Sequence, residues 1–205
     1  YVISGGNTGI GLKVANYLMA TYGVTMVALG RSSISEQELI NKIIPGLRYL
    51  YSYHRVDITD FVALSTVIQS IKAEHGAIRG VIHSSGLVRD RLFIAKEATD
   101  FSTVFDVKVK GLLNLDRVTA TEPLRIFVAF SSVVATWGNP GQSDYALANA
   151  TMDACLDYRA RLNRSGKNIS IRWTLWKDGG MGLDESIQDS FSSTSGVLTD
   201  QQGLD

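Results

Sequence analysis

Short apolar runs alternate with stretches whose apolar residues recur every three or four positions, from one end of the chain to the other. Tyr1-Val-Ile-Ser4 reads as a strand, and Ile10, Val14 and Leu18 then fall on one face of a helix. Val24 to Leu29 is a second strand, Glu36 to Ile44 a helix that stops before Pro45, and a third strand lies within Leu47 to Val56 after a poorly defined start. Phe61 to His75 is helical, with Leu64, Ile68 and Ile71 on one face. Gly80 to His83 is a fourth strand, Phe101 to Thr119 one long helix, Arg125 to Ser131 a fifth strand, Ser143 to Leu162 a helix and Ile169 to Leu175 a sixth strand. Apolar, β-branched strands separated by helices require crossover connections. The pattern therefore predicts an α/β fold, a doubly wound parallel sheet of the Rossmann kind with helices on both faces. Ligands of such sheets bind beyond the carboxyl ends of the strands.

Composition narrows the function without choosing it. Apolar residues make up 45% of the 205-residue chain and charged residues 20%, as expected of one globular core. Twenty basic residues balance twenty acidic ones, which gives no basic surplus for nucleic acid or anionic lipid. Cys155 is the only cysteine, so there is neither an internal disulfide nor a metal-ligand cluster, and it reads as a small buried apolar residue. No apolar run reaches membrane-spanning length and no signal peptide is visible, since Tyr1 opens directly in a strand-like run; the expectation is a cytoplasmic, reducing location. The sequence starts inside a strand and stops in what reads as the start of a helix, Asp200 to Asp205. That suggests a piece of something longer.

Ser4-Gly5-Gly6-Asn7-Thr8-Gly9-Ile10-Gly11 links the first strand to the first helix. Glycines there permit a tight turn and close backbone approach to a pyrophosphate, whose charge is stabilised by free N–H groups at the helix start. The spacing is wider than G-x-G-x-x-G. It resembles the T-G-x-x-x-G-x-G pattern of short-chain dehydrogenases/reductases, with Ser4 in place of Thr. The second strand ends in Gly30-Arg31-Ser32, where a cation suits the 2′-phosphate of NADPH better than the free hydroxyl of NADH.

Candidate chemistry lies further along. Ketone reduction needs a hydride donor, an acid for the developing alkoxide and a group to hold the carbonyl oxygen. Ser132 leaves the fifth strand, Tyr145 follows thirteen residues later, and Asn149 shares a helix face with Tyr145. Tyrosine is a weak acid at neutral pH unless a cation favours its phenolate. Most of the superfamily places a Lys where Asn149 stands. The ketoreductase domains of modular polyketide synthases exchange the two positions, and this chain resembles them, with Lys108 on the preceding long helix, 24 residues before Ser132. Gly80-Val-Ile-His-Ser-Ser-Gly86, Phe127 to Ser132, Gly138-Asn-Pro-Gly-Gln-Ser-Asp-Tyr145 and Trp173-Thr-Leu-Trp176 extend the resemblance over nearly the whole chain.

The resemblance implies that Tyr145 donates the proton, Lys108 lowers its pKa, Ser132 holds the substrate carbonyl and Asn149 orders the polar network. It implies NADPH as cofactor, with Asp57 beside the adenine, followed by Ile58, and with Ser84, Ser85 and Gly86 in the cofactor cleft. Asp57 read alone is a helix N-cap candidate. Val88-Arg89-Asp90 stands where one stereochemical class carries Leu-Asp-Asp and lacks the first Asp, while Trp137 stands where the other class has Trp. The expectation is the A-type, L-hydroxy product. Gln142 occupies the place of a His found in epimerising members, and Met181, in Gly179 to Phe191, belongs to an expected lid over nicotinamide and pantetheine. His83 is expected to be scaffolding, and His54 and His75 surface residues. The implied partners are an acyl carrier protein bearing a phosphopantetheine-bound ketoacyl substrate, a structural subdomain preceding Tyr1 and other synthase domains; a last strand would follow Asp205. Three rivals stay open: a non-reducing scaffold domain, a free-standing short-chain dehydrogenase, and a fatty acid synthase ketoreductase.

Overall fold

The structure, a computed structural model, describes residues 1–177, 179 and 196–204. Strands β1 (Val2–Ser4), β2 (Met26–Gly30), β3 (Tyr51–Arg55), β4 (Gly80–His83), β5 (Ile126–Ser132) and β6 (Lys167–Trp173) form one sheet in the order β3-β2-β1-β4-β5-β6, every pair parallel. Consecutive strand residues bury to opposite faces. Val2, Val27, Val81 and Phe127 join one apolar cluster, and Ile3, Ala28, Ile82 and Val128 join the other. Helices α3 (Phe61–His75), α5 (Gly111–Val118) and α7 (Ser143–Arg161) supply Leu64, Leu112 and Met152 to the first cluster. Helices α1 (Gly9–Tyr22) and α2 (Glu36–Lys42) supply Ala15, Met19 and Leu39 to the second. Both faces are thus covered, as uninterrupted apolar strands require. The strand order reverses between β1 and β4, and the crevice at that switch point is where the site lies.

Local chemistry sets the boundaries. Ser35 and Glu38 form a reciprocal capping box at the start of α2, and Asp60 caps α3 by accepting from the N–H groups of Val62 and Ala63. Asp57, the other cap candidate, instead accepts from the backbone and hydroxyl of Thr59 in the turn before it.

Several expectations need revision. The long helix begins earlier, at α4 (Ala98–Phe105), and is interrupted by a π turn, Asp106–Lys110, before α5. Apolar periodicity does not see one inserted residue. A 3₁₀ turn, Arg48–Leu50, accounts for the indistinct start of β3. The sixth strand starts at Lys167 and stops at Trp173; Leu175–Trp176 (β7) then pairs with Val197–Leu198 (β8) in a separate two-stranded ribbon. A short helix α6 (Val134–Trp137) was not anticipated, whereas helix α8 (Asp200–Leu204) falls where the last residues suggested one. Cys155 is half-buried, packed against the core rather than enclosed by it.

Candidate active site

A cavity of about 300 Å³ opens along the carboxyl ends of β1, β2, β4, β5 and β6. Its nucleotide end is built by the β1–α1 turn. Gly5 has φ +72°, and a Cβ there would stand 2.9 Å from the Ser85 nitrogen, so only glycine fits between β1 and β4. At Gly11 a Cβ would meet the Gly5 carbonyl oxygen at 2.4 Å, which fixes how closely the first turn of α1 approaches the loop. The start of α1 therefore presents backbone N–H groups to the cavity, and Asn7, Thr8, Gly9 and Ile10 line it. Arg31 and Ser32 border it after β2, Asp57 and Ile58 after β3, and Ser84, Ser85 and Gly86 after β4. Ser4, Gly6 and Gly11 lie behind this surface and are buried. The turn, the helix start and the cation at Arg31 together fit an anionic dinucleotide.

At the other end stand Lys108, Ser132 and Tyr145, all lining the cavity. Lys108 sits in the π turn and is 3% exposed. Its ammonium donates to the Phe130 carbonyl at 3.2 Å and lies 5.0 Å from the centroid of the Tyr145 ring. Burial pulls this ammonium down to a pKa of about 7, against the attraction of Asp153. Burial pushes the Tyr145 phenol up to about 12, with Asp90 adding to the rise and the side chains of Asn149 and Ser132 pulling the other way. Ser132 Oγ accepts from the Val134 N–H at 3.2 Å, which orients the hydroxyl at the tip of β5. Asn149 is fully buried and donates to the Tyr145 carbonyl at 2.8 Å; its Oδ1 has no partner among the described residues.

The helix carrying Tyr145 is anchored at its first turn. Asp144 Oδ1 accepts from the Tyr145 N–H at 2.8 Å and pairs with the Lys96 ammonium at 2.7 Å, both side chains being fully buried. Lys96 also donates to the Arg89 carbonyl at 2.6 Å. A second clasp joins the same two loops: Gln142 Nε2 donates to both carboxylate oxygens of Asp90, at 3.1 and 3.0 Å.

Of the residues expected to govern stereochemistry, Gln142 lines the cavity, while Arg89 and Trp137 do not; Trp137 is 73% exposed. Met181 and most of the expected lid lie outside the described residues. Three aromatic side chains to which the sequence assigns no role in the site also line the cavity. Phe130 packs edge-on to Trp173 at 5.5 Å, and Trp173 edge-on to Trp176 at 5.1 Å. Their signal was positional, since all lie at or just past the carboxyl ends of β5 and β6.

Comparison with known proteins agrees with this geometry. The family described as "KR domain" matches residues 1–178. The chain belongs to that family, the ketoreductase domains of polyketide synthases within the short-chain dehydrogenase/reductase superfamily. It is 35% identical over 209 residues to polyketide synthase PksN of Bacillus subtilis, covering 97% of this chain and 4% of that protein. It is 37% identical over 202 residues to polyketide synthase ThaG of Burkholderia thailandensis, covering 96% of this chain and 4% of that protein. A crystal structure of a ketoreductase domain from the bacillaene assembly line superposes with a TM-score of 0.91 at 36% identity, over 100% of this chain and 51% of that one. The chain thus spans about half of that solved domain and a small fraction of the curated synthases.

The Gly5–Gly11 contact yields a test. Gly11→Ala must push the turn away from the helix start, and nicotinamide-nucleotide affinity should fall at least about tenfold, about 1.4 kcal/mol, in a fluorescence titration. Unchanged affinity would place the dinucleotide elsewhere.

Proposed function

We propose that this chain is the catalytic part of an active ketoreductase that uses NADPH to reduce a ketoacyl thioester, most simply a β-ketoacyl group on an acyl carrier protein, to the hydroxyacyl thioester. The observation that carries it is the convergence of Lys108, Ser132 and Tyr145 on the cavity that the β1–α1 turn also lines. The bound cofactor supplies the hydride. Arg31 offers its guanidinium to the 2′-phosphate, and the first turn of α1 offers its N–H groups to the pyrophosphate. Ser132 donates a hydrogen bond to the substrate carbonyl and Tyr145 delivers the proton as the alkoxide develops. Lys108 stabilises the negative charge that appears on the phenol oxygen as its proton leaves. Asn149, with a free acceptor behind Tyr145, orders the route by which that proton is replaced.

The scaffold alternative is disfavoured because both the glycines of the turn and the catalytic candidates are present. A free-standing dehydrogenase would be expected to carry Lys in place of Asn149. Within the synthase, the chain would work beside a structural subdomain and other domains, with substrate delivered on phosphopantetheine. A fatty acid synthase origin remains the same chemistry in another assembly.

The decisive trial mixes the chain with NADPH and a β-ketoacyl pantetheine thioester and follows loss of the reduced-nicotinamide absorbance. Tyr145→Phe should bind NADPH normally and turn over at least about a hundredfold more slowly; near-normal turnover would show that another group supplies the proton. The pH profile follows from the buried pair. The phenol, raised to about 12, keeps its proton throughout the neutral range, whereas the ammonium, lowered to about 7, is charged below that pH and loses its proton above it. Reduction should therefore decline as pH rises through about 7, and a rate rising steadily to pH 9 would contradict the assignment to Lys108. For the product we infer the L-hydroxy, A-type epimer, supported by the sequence positions of Arg89, in place of the diagnostic Asp, and of Trp137; Gln142 at the cavity wall, where epimerising members have His, argues instead against an epimerised α-branched substrate. Chiral chromatography of the product should show the L epimer; the D epimer would overturn the inference.

A further inference from the structure

His83 ends β4 at the heart of the sheet, is fully buried and does not line the cavity. Its ring nevertheless touches both halves of the site. Nδ1 lies 2.7 Å from Ser4 Oγ, the hydroxyl directly before Gly5, and Nε2 lies 2.8 Å from the Lys108 carbonyl oxygen. Ser4 and His83 are cross-strand neighbours in the β1–β4 register, so the first contact is built into the sheet. The second arises from the π turn. Gly111 N–H is shared between the Asp106 and Lys108 carbonyls, and the Lys108 oxygen is met by the His83 ring as well. Gly111 lies directly beside the ring, and a Cβ there would be in ordinary contact with His83 Cε1 at 3.5 Å.

The chemistry of the two partners settles which nitrogen carries the proton. A carbonyl oxygen only accepts, so Nε2 carries the hydrogen and donates it to Lys108. In a neutral ring Nδ1 then has a lone pair, which accepts from the Ser4 hydroxyl. Burial, reinforced by the nearby Lys108 ammonium, pulls the imidazole down to a pKa of about 3, so the ring stays neutral and moves no proton at physiological pH.

Building on the ketoreductase reading above, we propose that His83 is a positioning residue: fixed as the Nε2–H tautomer, it ties the π turn that carries Lys108 to Ser4, holding the catalytic ammonium at a set distance from the nucleotide turn. Ser4 is thereby a hydroxyl donor to the ring rather than a cofactor contact, which explains why a Ser serves where the superfamily pattern has Thr. The ring acts through the Lys108 backbone and touches neither substrate nor cofactor.

Two measurements test this. The chain has three histidines, so in a ¹⁵N-histidine-labelled protein carrying His54→Gln and His75→Gln the remaining ring signals belong to His83. Long-range ¹H–¹⁵N spectra should show a protonated Nε2 and an unprotonated Nδ1, unchanged from about pH 5 to about pH 8. A Nδ1–H tautomer, or a ring that titrates in that range, overturns the proposal. Kinetically, His83→Phe should lose at least about tenfold in kcat while KM for the thioester stays within about twofold, because the ammonium is displaced but the binding surface is kept. His83→Gln, which keeps a side-chain N–H donor, should recover most of that loss. A wild-type chain that binds NADPH yet leaves the thioester unreduced overturns the reductase reading and this proposal with it. An active wild type whose His83→Phe variant keeps its kcat overturns this proposal alone. Should His83→Phe fail to fold, the tautomer measured in the otherwise wild-type ring still decides.

Discussion

An ammonium held out of water is the constraint around which this site is arranged. Lys108 is 3% exposed, and desolvation of its charge is the dominant force on its titration. Such a group needs acceptors at fixed positions. The Phe130 carbonyl at the tip of β5 provides one, the face of the Tyr145 ring adds favourable cation–π contact, and Asp153 contributes at longer range. These come from β5 and from α7, so the sheet, α7 and the π turn must all be in register before the charge is tolerable. The doubly wound fold supplies that register because β4 and β5 end side by side, next to the switch point between β1 and β4.

The same arrangement makes the two ends of the cavity one mechanical unit. Gly5 packs against the backbone of Ser85, Ser4 meets His83, and His83 meets the turn of Lys108. Across the cavity, Lys96 and Asp144 tie the loop after β4 to the first turn of α7, while Asp90 and Gln142 repeat the connection at the rim. The loop after β4 is thus held from both sides, by β1 and by α7. Buried polar networks of this kind are costly when half satisfied and specifying when complete; this one keeps open positions beside Tyr145, where Ser143 Oγ, Asp144 Oδ2 and Asn149 Oδ1 have no partner among the described residues.

Much of this was legible in the chain itself, and the failures have definite causes. Strands such as Gly80–His83 and the helix Phe61–His75 announce themselves by continuous or periodic apolar positions. The glycine turn and the Ser132, Tyr145 and Asn149 spacing are local patterns, readable without a fold. Lys108 required the family resemblance, because its partner Tyr145 lies on another helix and no local spacing links them. The π turn was invisible because a single inserted residue leaves the apolar periodicity on either side intact, although it decides which way Lys108 projects. His83 reads from the sequence only as scaffolding, since a lone buried histidine has no sequence signature. Its role depends on Ser4 and Lys108, 79 and 25 residues away. Trp137 was expected near the site, yet it sits exposed on α6, a four-residue helix that the apolar pattern did not predict.

The most direct trial of the central claim is a single-turnover reaction between the chain, NADPH deuterated at the transferable nicotinamide position, and a β-ketoacyl pantetheine thioester, run alongside Lys108→Met. If the buried ammonium serves the phenol, the wild-type product carries deuterium at its carbinol carbon and the variant forms that product at least about a hundredfold more slowly, with NADPH still bound. Equal rates of deuterium transfer in the two proteins would contradict the account, since the charge on which the site is organised would then have no part in the reaction.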